Sequence, residues 1–446
     1  MRPLPTKLFA STSLALLTVL AGCGGNDDGL PLNGGAPSCD LATQKSWLRG
    51  YMADWYYWSG SSPSPDPGPY ASVPDYFDAL LFTGAAPVPA DRWSYIESSA
   101  SYNQFYGDGR TLGYGVSVNG LELQLPLKVR YIEPLSPAAT AGLVRGDVIS
   151  SVNSRSAAEL VAADDFSALT PAQAGDVLTL VIDAPGGPKT VTVTAGTYAL
   201  TPVPVARLLT LANGTKAGYL VLKDFLTQAE DPLIDALAQF RAAGATELIL
   251  DLRYNGGGRL STAALLATLV TGSARRDQVF ARLTFNARHP NSNGAYLLGS
   301  VPGAAAFPRV VVLTGARTCS ASELVVNGLK PYAEVVTIGG TSCGKPVGFQ
   351  PRASCGNTYS AVNFEATNAL GEGGFWNGIA ATCAGTDTFS GALGDPAESL
   401  TATAVAYLQD GSCAVAGSAA KERAARWSKR LAAGAEPGDR RGMWAD

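Results

Sequence analysis

The chain has 446 residues, a formal net charge of −4 at neutral pH, 16% charged residues and 46% hydrophobic ones. That is long enough for roughly two to three domains, too apolar for a disordered protein, and without an electrostatic basis for nucleic-acid binding. A single histidine, His289, excludes a multi-histidine zinc site, and a Ser-His-Asp triad would have to recruit it from the loop Arg288-His289-Pro290-Asn291.

Residues 1–22 read as a targeting segment. Arg2 and Lys7 form a positive start, Leu8 to Leu20 an apolar stretch, and Leu20-Ala21-Gly22-Cys23 closes it. That ending resembles a bacterial lipobox, which implies cleavage before Cys23 and a lipid on its thiol. An ordinary signal peptide or a short membrane anchor is the plainer alternative. Gly24 follows, with no aspartate to signal inner-membrane retention. The expectation is a cell-envelope protein tied to the membrane through lipidated Cys23, at the outer membrane and facing the periplasm. The other cysteines, Cys39, Cys319, Cys343, Cys355, Cys383 and Cys413, are an even set in an exported chain. They fit a disulfide framework, among whose pairings spacing does not choose.

Residues 23–39 are rich in Gly, Asn, Asp and Pro and read as a tether. An N-terminal helical region is expected over 40–110. There Trp47, Tyr51, Trp55 and Trp58 recur at helical spacing, a stripe that is usually core and less often the lining of a groove. Over 111–198 the period becomes that of strands. Gly113-Tyr114-Gly115-Val116 opens alternating apolar runs, and Ser136-Pro137-Ala138, Ala141-Gly142-Leu143 and Gly146-Asp147-Val148-Ile149 follow. These residues resemble a PDZ domain; a generic small β-domain is the plainer reading. The resemblance implies that Gly113, Tyr114, Gly115 and Val116 hold a peptide's terminal carboxylate while the peptide adds a strand to the sheet edge.

Over 199–413 strands alternate with helices. Gly218–Leu222, Glu247–Arg253 and Val310–Leu313 read as strands, and Asp231–Arg241 and Leu260–Val270 as helices. Such alternation predicts a parallel sheet, with sites at the carboxyl ends of the strands. The loop Asn255-Gly256-Gly257-Gly258, Ser320 and Lys345 all fall there. Ser320 opens an apolar helix, where free N–H groups and the helix dipole favour a developing negative charge. Taken singly, Ser320-x-x-Glu323 is also the spacing of a capping box and Lys345 a surface lysine. Gly339-x-x-x-x-Gly344-Lys345 nearly spells a phosphate loop, but Pro346 stands where a magnesium-binding Ser or Thr belongs, so nucleotide binding is set aside. Leu400 to Leu408 reads as a docked helix. The basic stretch 414–446 reads as a solvated or disordered tail, with anionic lipid as the alternative contact.

The PDZ-like module, Asp251-Leu-Arg-Tyr-Asn-Gly-Gly-Gly258, and Ser320-Ala-Ser-Glu323 with Lys345 downstream occur in that order. Together they resemble the C-terminal processing (tail-specific) serine peptidases, over about residues 95–350. The resemblance implies an α/β fold: a crotonase/ClpP-like parallel-sheet peptidase core, a PDZ β-domain inserted or preceding, and an N-terminal helical segment. It implies Ser320 as nucleophile, Lys345 as general base, and an oxyanion hole from the N–H groups of Ala321 and a loop glycine, Gly257. It further implies polypeptide substrates with free C-termini and no metal or organic cofactor. The base must be neutral, which for a lysine of reference pKa ~10.4 means a shift of about three units, or ~4 kcal/mol. Family members place a lysine-orienting glutamine four residues past the lysine. Here Phe349 holds that position and Gln350, one later, is the candidate. A rival from another class is a catalytically inert PDZ peptide-binding scaffold on a peptidase-like fold.

Overall fold

Runs such as Leu248-Ile249-Leu250 and Val310-Val311-Val312-Leu313 are apolar at every position, which suits strands covered on both faces. A computed structural model describes residues 34–120, 124–304, 306–389, 391–413 and 442–445. In it these runs form the middle of a six-stranded sheet, ordered Val205–Thr210, Lys216–Val221, Glu247–Asp251, Arg309–Thr314, Glu334–Gly339 and Cys383–Ala384. The first strand is an antiparallel edge and all later pairs are parallel. Leu220, Leu248, Leu250, Val310 and Val312 pack against the helices Glu230–Ala242, Leu260–Thr271 and Ala321–Leu329. Tyr219, Ile249, Val311, Leu313 and Ile338 point to the other face, where the helix Ser399–Asp410 lies. Each side chain so buried contributes about 1.5–3 kcal/mol, so this sandwich is the rigid frame of the molecule.

A second sheet is built from Val116–Val118, Leu127–Ile132, Val148–Val152, Val177–Ala184 and Gly187–Thr194. The short helices Pro137–Thr140 and Ala157–Ala163 accompany it, and Leu127, Val129, Ile149, Leu178 and Leu180 form a core of its own. Arg110–Gly113 pairs antiparallel with Gly196–Ala199 at its neck, so this unit is inserted between the N-terminal region and the parallel core.

The N-terminal helix Leu41–Trp55 starts at Asp40, whose carboxylate accepts from Thr43 N–H. Trp47, Tyr51 and Trp58 are buried in a cluster with Phe77, Tyr359 and Val362, so the aromatic stripe is core; Trp55 is only partly covered. Three expectations need correction. Residues 40–110 are not purely helical, since Tyr95–Ser98 pairs antiparallel with Asn357–Ser360. The last part of the expected tether is docked: Trp47 Nε1 donates to Gly34 O (2.9 Å), Ala36 N to Ser354 Oγ (2.8 Å), and Cys39 is bonded to Cys355. The other bridges are Cys319–Cys343 and Cys383–Cys413. The expectation of a solvated tail also fails for Gly442–Trp444, which forms a strand parallel to Gly257–Arg259. The lipidation site Cys23 lies outside the described residues. Among those described, no helix is long and apolar enough to cross a membrane.

Candidate active site

The strand Arg309–Thr314 delivers the chain to Ser320, immediately before the helix Ala321–Leu329. Ser320 is fully buried with φ 63° and ψ −116°, a left-handed conformation that costs a non-glycine residue about 1–3 kcal/mol. Its side chain does not cap the helix: Ser320 Oγ is buried without a hydrogen-bond partner. Ala321 N–H, the first amide of the helix, likewise has no acceptor among the described residues. An unpaired hydroxyl and an unpaired helix amide side by side are what a nucleophile and an oxyanion donor require.

Half of the capping box is present, and it carries more than a helix end. Glu323 is fully buried. One carboxylate oxygen accepts from the N–H groups of both Ser320 (2.9 Å) and Lys345 (2.8 Å). The other accepts from Ser342 Oγ (2.5 Å) and Gly344 N–H (2.7 Å). Burial pushes the Glu323 carboxyl above its ordinary range, and these donors pull it back only in part. The Ser320 turn and the lysine loop are therefore joined through one side chain. The Cys319–Cys343 bridge, with Cα atoms 5.1 Å apart, and Cys343 N–H on Thr318 O (3.0 Å) join them again. Lys345 is fully buried, with Nζ 4.5 Å from the Phe349 ring centroid.

The glycine loop is braced by the residues before it. Asn255 donates from Nδ2 to Leu222 O (2.9 Å), and its carbonyl accepts from Cys319 N–H and Ser322 Oγ, both at 3.0 Å. Asn255 Oδ1 accepts from Gly257 N–H (2.8 Å). This corrects the expectation for Gly257: its N–H is taken up inside the loop, because the asparagine that shapes the turn needs it. Gln350 N–H donates to Asn363 Oδ1 (3.1 Å), and Phe349, four residues past the lysine, turns its ring to Lys345 and packs edge-on against Tyr95. His289 stacks on Trp55 at 3.6 Å and lies 3.2 Å from Asp54, so it is occupied at the N-terminal helix.

In the inserted domain, Tyr114 O accepts from Ala138 N–H and Gly115 O from Glu133 N–H, both at 2.9 Å. Gly115 has φ 82°, and a Cβ there would meet the Ser136 side chain at 2.0 Å, so this close turn needs glycine. The carbonyls of Tyr114 and Gly115 are spent, and their N–H groups have no acceptor among the described residues. Such a pair of donors can hold an anion.

Sequence reasoning missed the junction between the two domains. Arg145 reaches out of the inserted domain to Tyr254 Oη (2.5 Å) and Asp387 (2.5 Å), and donates within it to Arg130 O (2.6 Å). Arg253 makes a forked pair with Glu398 (2.7 and 3.0 Å) and a further bond to Asp251 (3.0 Å). Burial opposes the charges on Asp387 and Glu398, but the guanidiniums outweigh it and hold both carboxyls below their ordinary range. Tyr254, Asp387 and Glu398 lie more than a hundred residues from the arginines they meet, and no local spacing pairs them. One described cluster, Cys319, Glu323 and Cys343, has its ligand atoms within 4.8 Å. Its two sulfurs are joined in a disulfide and offer no thiolate to a metal.

A parallel α/β core that presents a strained, buried serine at a strand-to-helix turn, beside a glycine loop and a buried lysine, defines a serine-peptidase type of fold. The profile "Peptidase family S41" matches residues 216–377, and that of the "Peptidase S41 N-terminal domain" matches 43–95. Over these two segments the chain is similar to peptidase family S41. It is 30% identical over 242 residues to a carboxyl-terminal-processing protease of Picosynechococcus, covering 54% of each chain. It is 28% identical over 238 residues to carboxyl-terminal-processing peptidase 1 of Arabidopsis thaliana, covering 52% of this chain and 47% of the other. It spans about half the length of the curated relatives it matches. A crystal structure from Bacteroides fragilis, named for the S41 proteases, superposes with a TM-score of 0.64 at 25% identity. That superposition covers 82% of this chain and 97% of the other.

Proposed function

We propose that this protein is a serine endopeptidase with a Ser320/Lys345 dyad. Ser320 Oγ attacks the scissile carbonyl and Lys345 Nζ takes its proton, so the amine must be neutral beforehand. Complete burial is what disfavours a lysine's charged form. Ala321 N–H stabilises the oxyanion. Gly257 N–H joins it only if it leaves Asn255 Oδ1. Lys345 then returns the proton to the leaving amine, and water resolves the acyl-enzyme by the same route. The observation that carries this reading is the unpartnered Ser320 Oγ, on a turn whose backbone shares one carboxylate oxygen with Lys345.

The inserted domain serves in this scheme as a PDZ module. The N–H groups from Gly113 to Val116 take the terminal carboxylate of an unfolded polypeptide, and the strand Val116–Val118, an edge of its sheet, receives the tail. The chain is anchored through a lipid on Cys23 and works in the cell envelope, on the periplasmic side of the outer membrane.

The test is hydrolysis of an unstructured protein with an apolar free C-terminus by wild type, Ser320→Ala and Lys345→Ala. Turnover is expected from wild type alone, and to weaken when the substrate C-terminus is amidated. Undiminished turnover by either variant rejects the dyad. Tail binding by all three with no turnover by any supports the inert scaffold instead.

A further inference from the structure

The glycine loop runs on into the short strand Gly257–Arg259, which has two edges. On one, Phe225 N–H donates to Gly257 O (3.0 Å) and Arg259 N–H donates to Phe225 O (2.8 Å). Gly258 has φ 140°, and a Cβ there would sit 2.2 Å from Phe225 O, so only glycine allows this approach. Successive residues of a strand point their polar groups to opposite sides, which turns Gly258 N–H and C=O toward the other edge. That edge is filled by the chain itself. Gly442–Trp444 lies parallel to it in the register Gly257↔Gly442, Gly258↔Met443 and Arg259↔Trp444. Ala445 continues the path and lines, with Tyr102, Arg259, Pro351 and Thr358, a cavity of about 240 Å³.

The position of this edge gives the pairing its meaning. It begins two residues after Asn255, whose carbonyl holds both Cys319 N–H and Ser322 Oγ at the nucleophile turn. A strand edge beside a nucleophile is where an extended polypeptide can be held by main-chain bonds, largely whatever its side chains are. We infer that Gly442–Ala445 is a tethered occupant of the edge that receives the polypeptide substrate, and that it competes with that substrate until displaced. This rests on the peptidase reading above. Tethered segments reach effective concentrations on the order of millimolar, so even weak pairing competes with dilute substrate. The competitor raises the substrate concentration needed without altering the chemistry.

The experiment uses the full chain and the substitution Trp444→Pro, which removes the N–H that this parallel register sets against Gly258 C=O. KM for an unstructured polypeptide should fall about three- to tenfold with kcat unchanged, which a merely structural strand would not produce. A synthetic peptide spanning residues 438–446 should raise KM back in the variant and change wild type little. The Gly258 amide should exchange its hydrogen faster in the variant when no substrate is present. An unchanged KM alongside Ser320-dependent wild-type turnover overturns the inference, and so does unchanged Gly258 exchange. If turnover proves independent of Ser320, the peptidase reading falls separately. Binding of a labelled unstructured polypeptide then replaces KM: tighter binding to the variant supports the competitor, and equal binding overturns it.

Discussion

Two buried polar clusters are each held by residues of the Asp251–Gly258 segment, one through Asp251 and Arg253 and the other through Asn255, and they are built in opposite ways. At the domain junction the charges are matched. Arg253 spans Asp251 and Glu398, Arg145 spans Asp387 and Tyr254, and both arginines stay paired despite burial. At the Ser320 turn the pairing is incomplete. Glu323 is saturated with donors, yet Ser320 Oγ beside it has none and Ser320 carries a strained backbone. A polar group that only holds domains together lowers the free energy most when every bond is made. One that must react is better left unsatisfied in the resting state, with neighbours supplying the rigidity. Glu323 and the Cys319–Cys343 bridge supply it here.

That contrast is testable, and the largest effect belongs to the reactive cluster. Ser320→Ala and Lys345→Ala should each lower turnover by about 10³-fold or more while the melting temperature stays near that of wild type. Steady-state hydrolysis with a parallel thermal melt checks both halves, and a collapsed melt would make Ser320 structural. The junction should answer the other way. Arg253→Met leaves buried carboxylates uncompensated and should cost about 3–5 kcal/mol in denaturant unfolding. Adding Glu398→Met should recover part of that loss, because it removes one stranded charge; a strictly additive double variant would contradict the matched-charge account.

A third, smaller effect concerns Glu133, a buried carboxyl near Lys223 and Asp224 where the inserted domain meets the core. Burial pushes it up to about 7 from an ordinary 4.5. The folded carboxyl thus holds its proton more tightly than the unfolded one. Its contribution is complete below pH 4.5 and is lost as pH rises through 7, roughly 3 kcal/mol at ~1.4 kcal/mol per unit. Unfolding free energies at pH 5 and pH 8 should therefore differ more in wild type than in Glu133→Gln, and identical pH slopes would refute this. The smallest effect sharpens the strain argument. Ser320→Gly should be inactive yet about 1 kcal/mol more stable, since glycine accepts φ 63° without penalty and removes a buried hydroxyl. A less stable glycine variant would mean that the serine packs better than its geometry implies.

Where information is local, the sequence alone determined the outcome. The apolar runs at Glu247–Asp251 and Arg309–Thr314 could only be doubly covered strands, and the period change near residue 113 marked the inserted β-domain. Ser320, the glycine loop and Lys345 were legible as one constellation because each sits at the end of a strand recognisable from its own residues. Tertiary structure decided the rest. It chose which cysteines meet, docked Gly34 to Cys39 on the aromatic core, and made Glu323 a link between two loops rather than a helix cap alone. It gave Gly257 N–H to Asn255, set Phe349 against the lysine, and laid Gly442–Trp444 beside Gly257–Arg259. Periodicity and capping are written within a few neighbouring residues. A donor's choice of acceptor depends on which distant segments packing brings within 3 Å, and no local pattern encodes that.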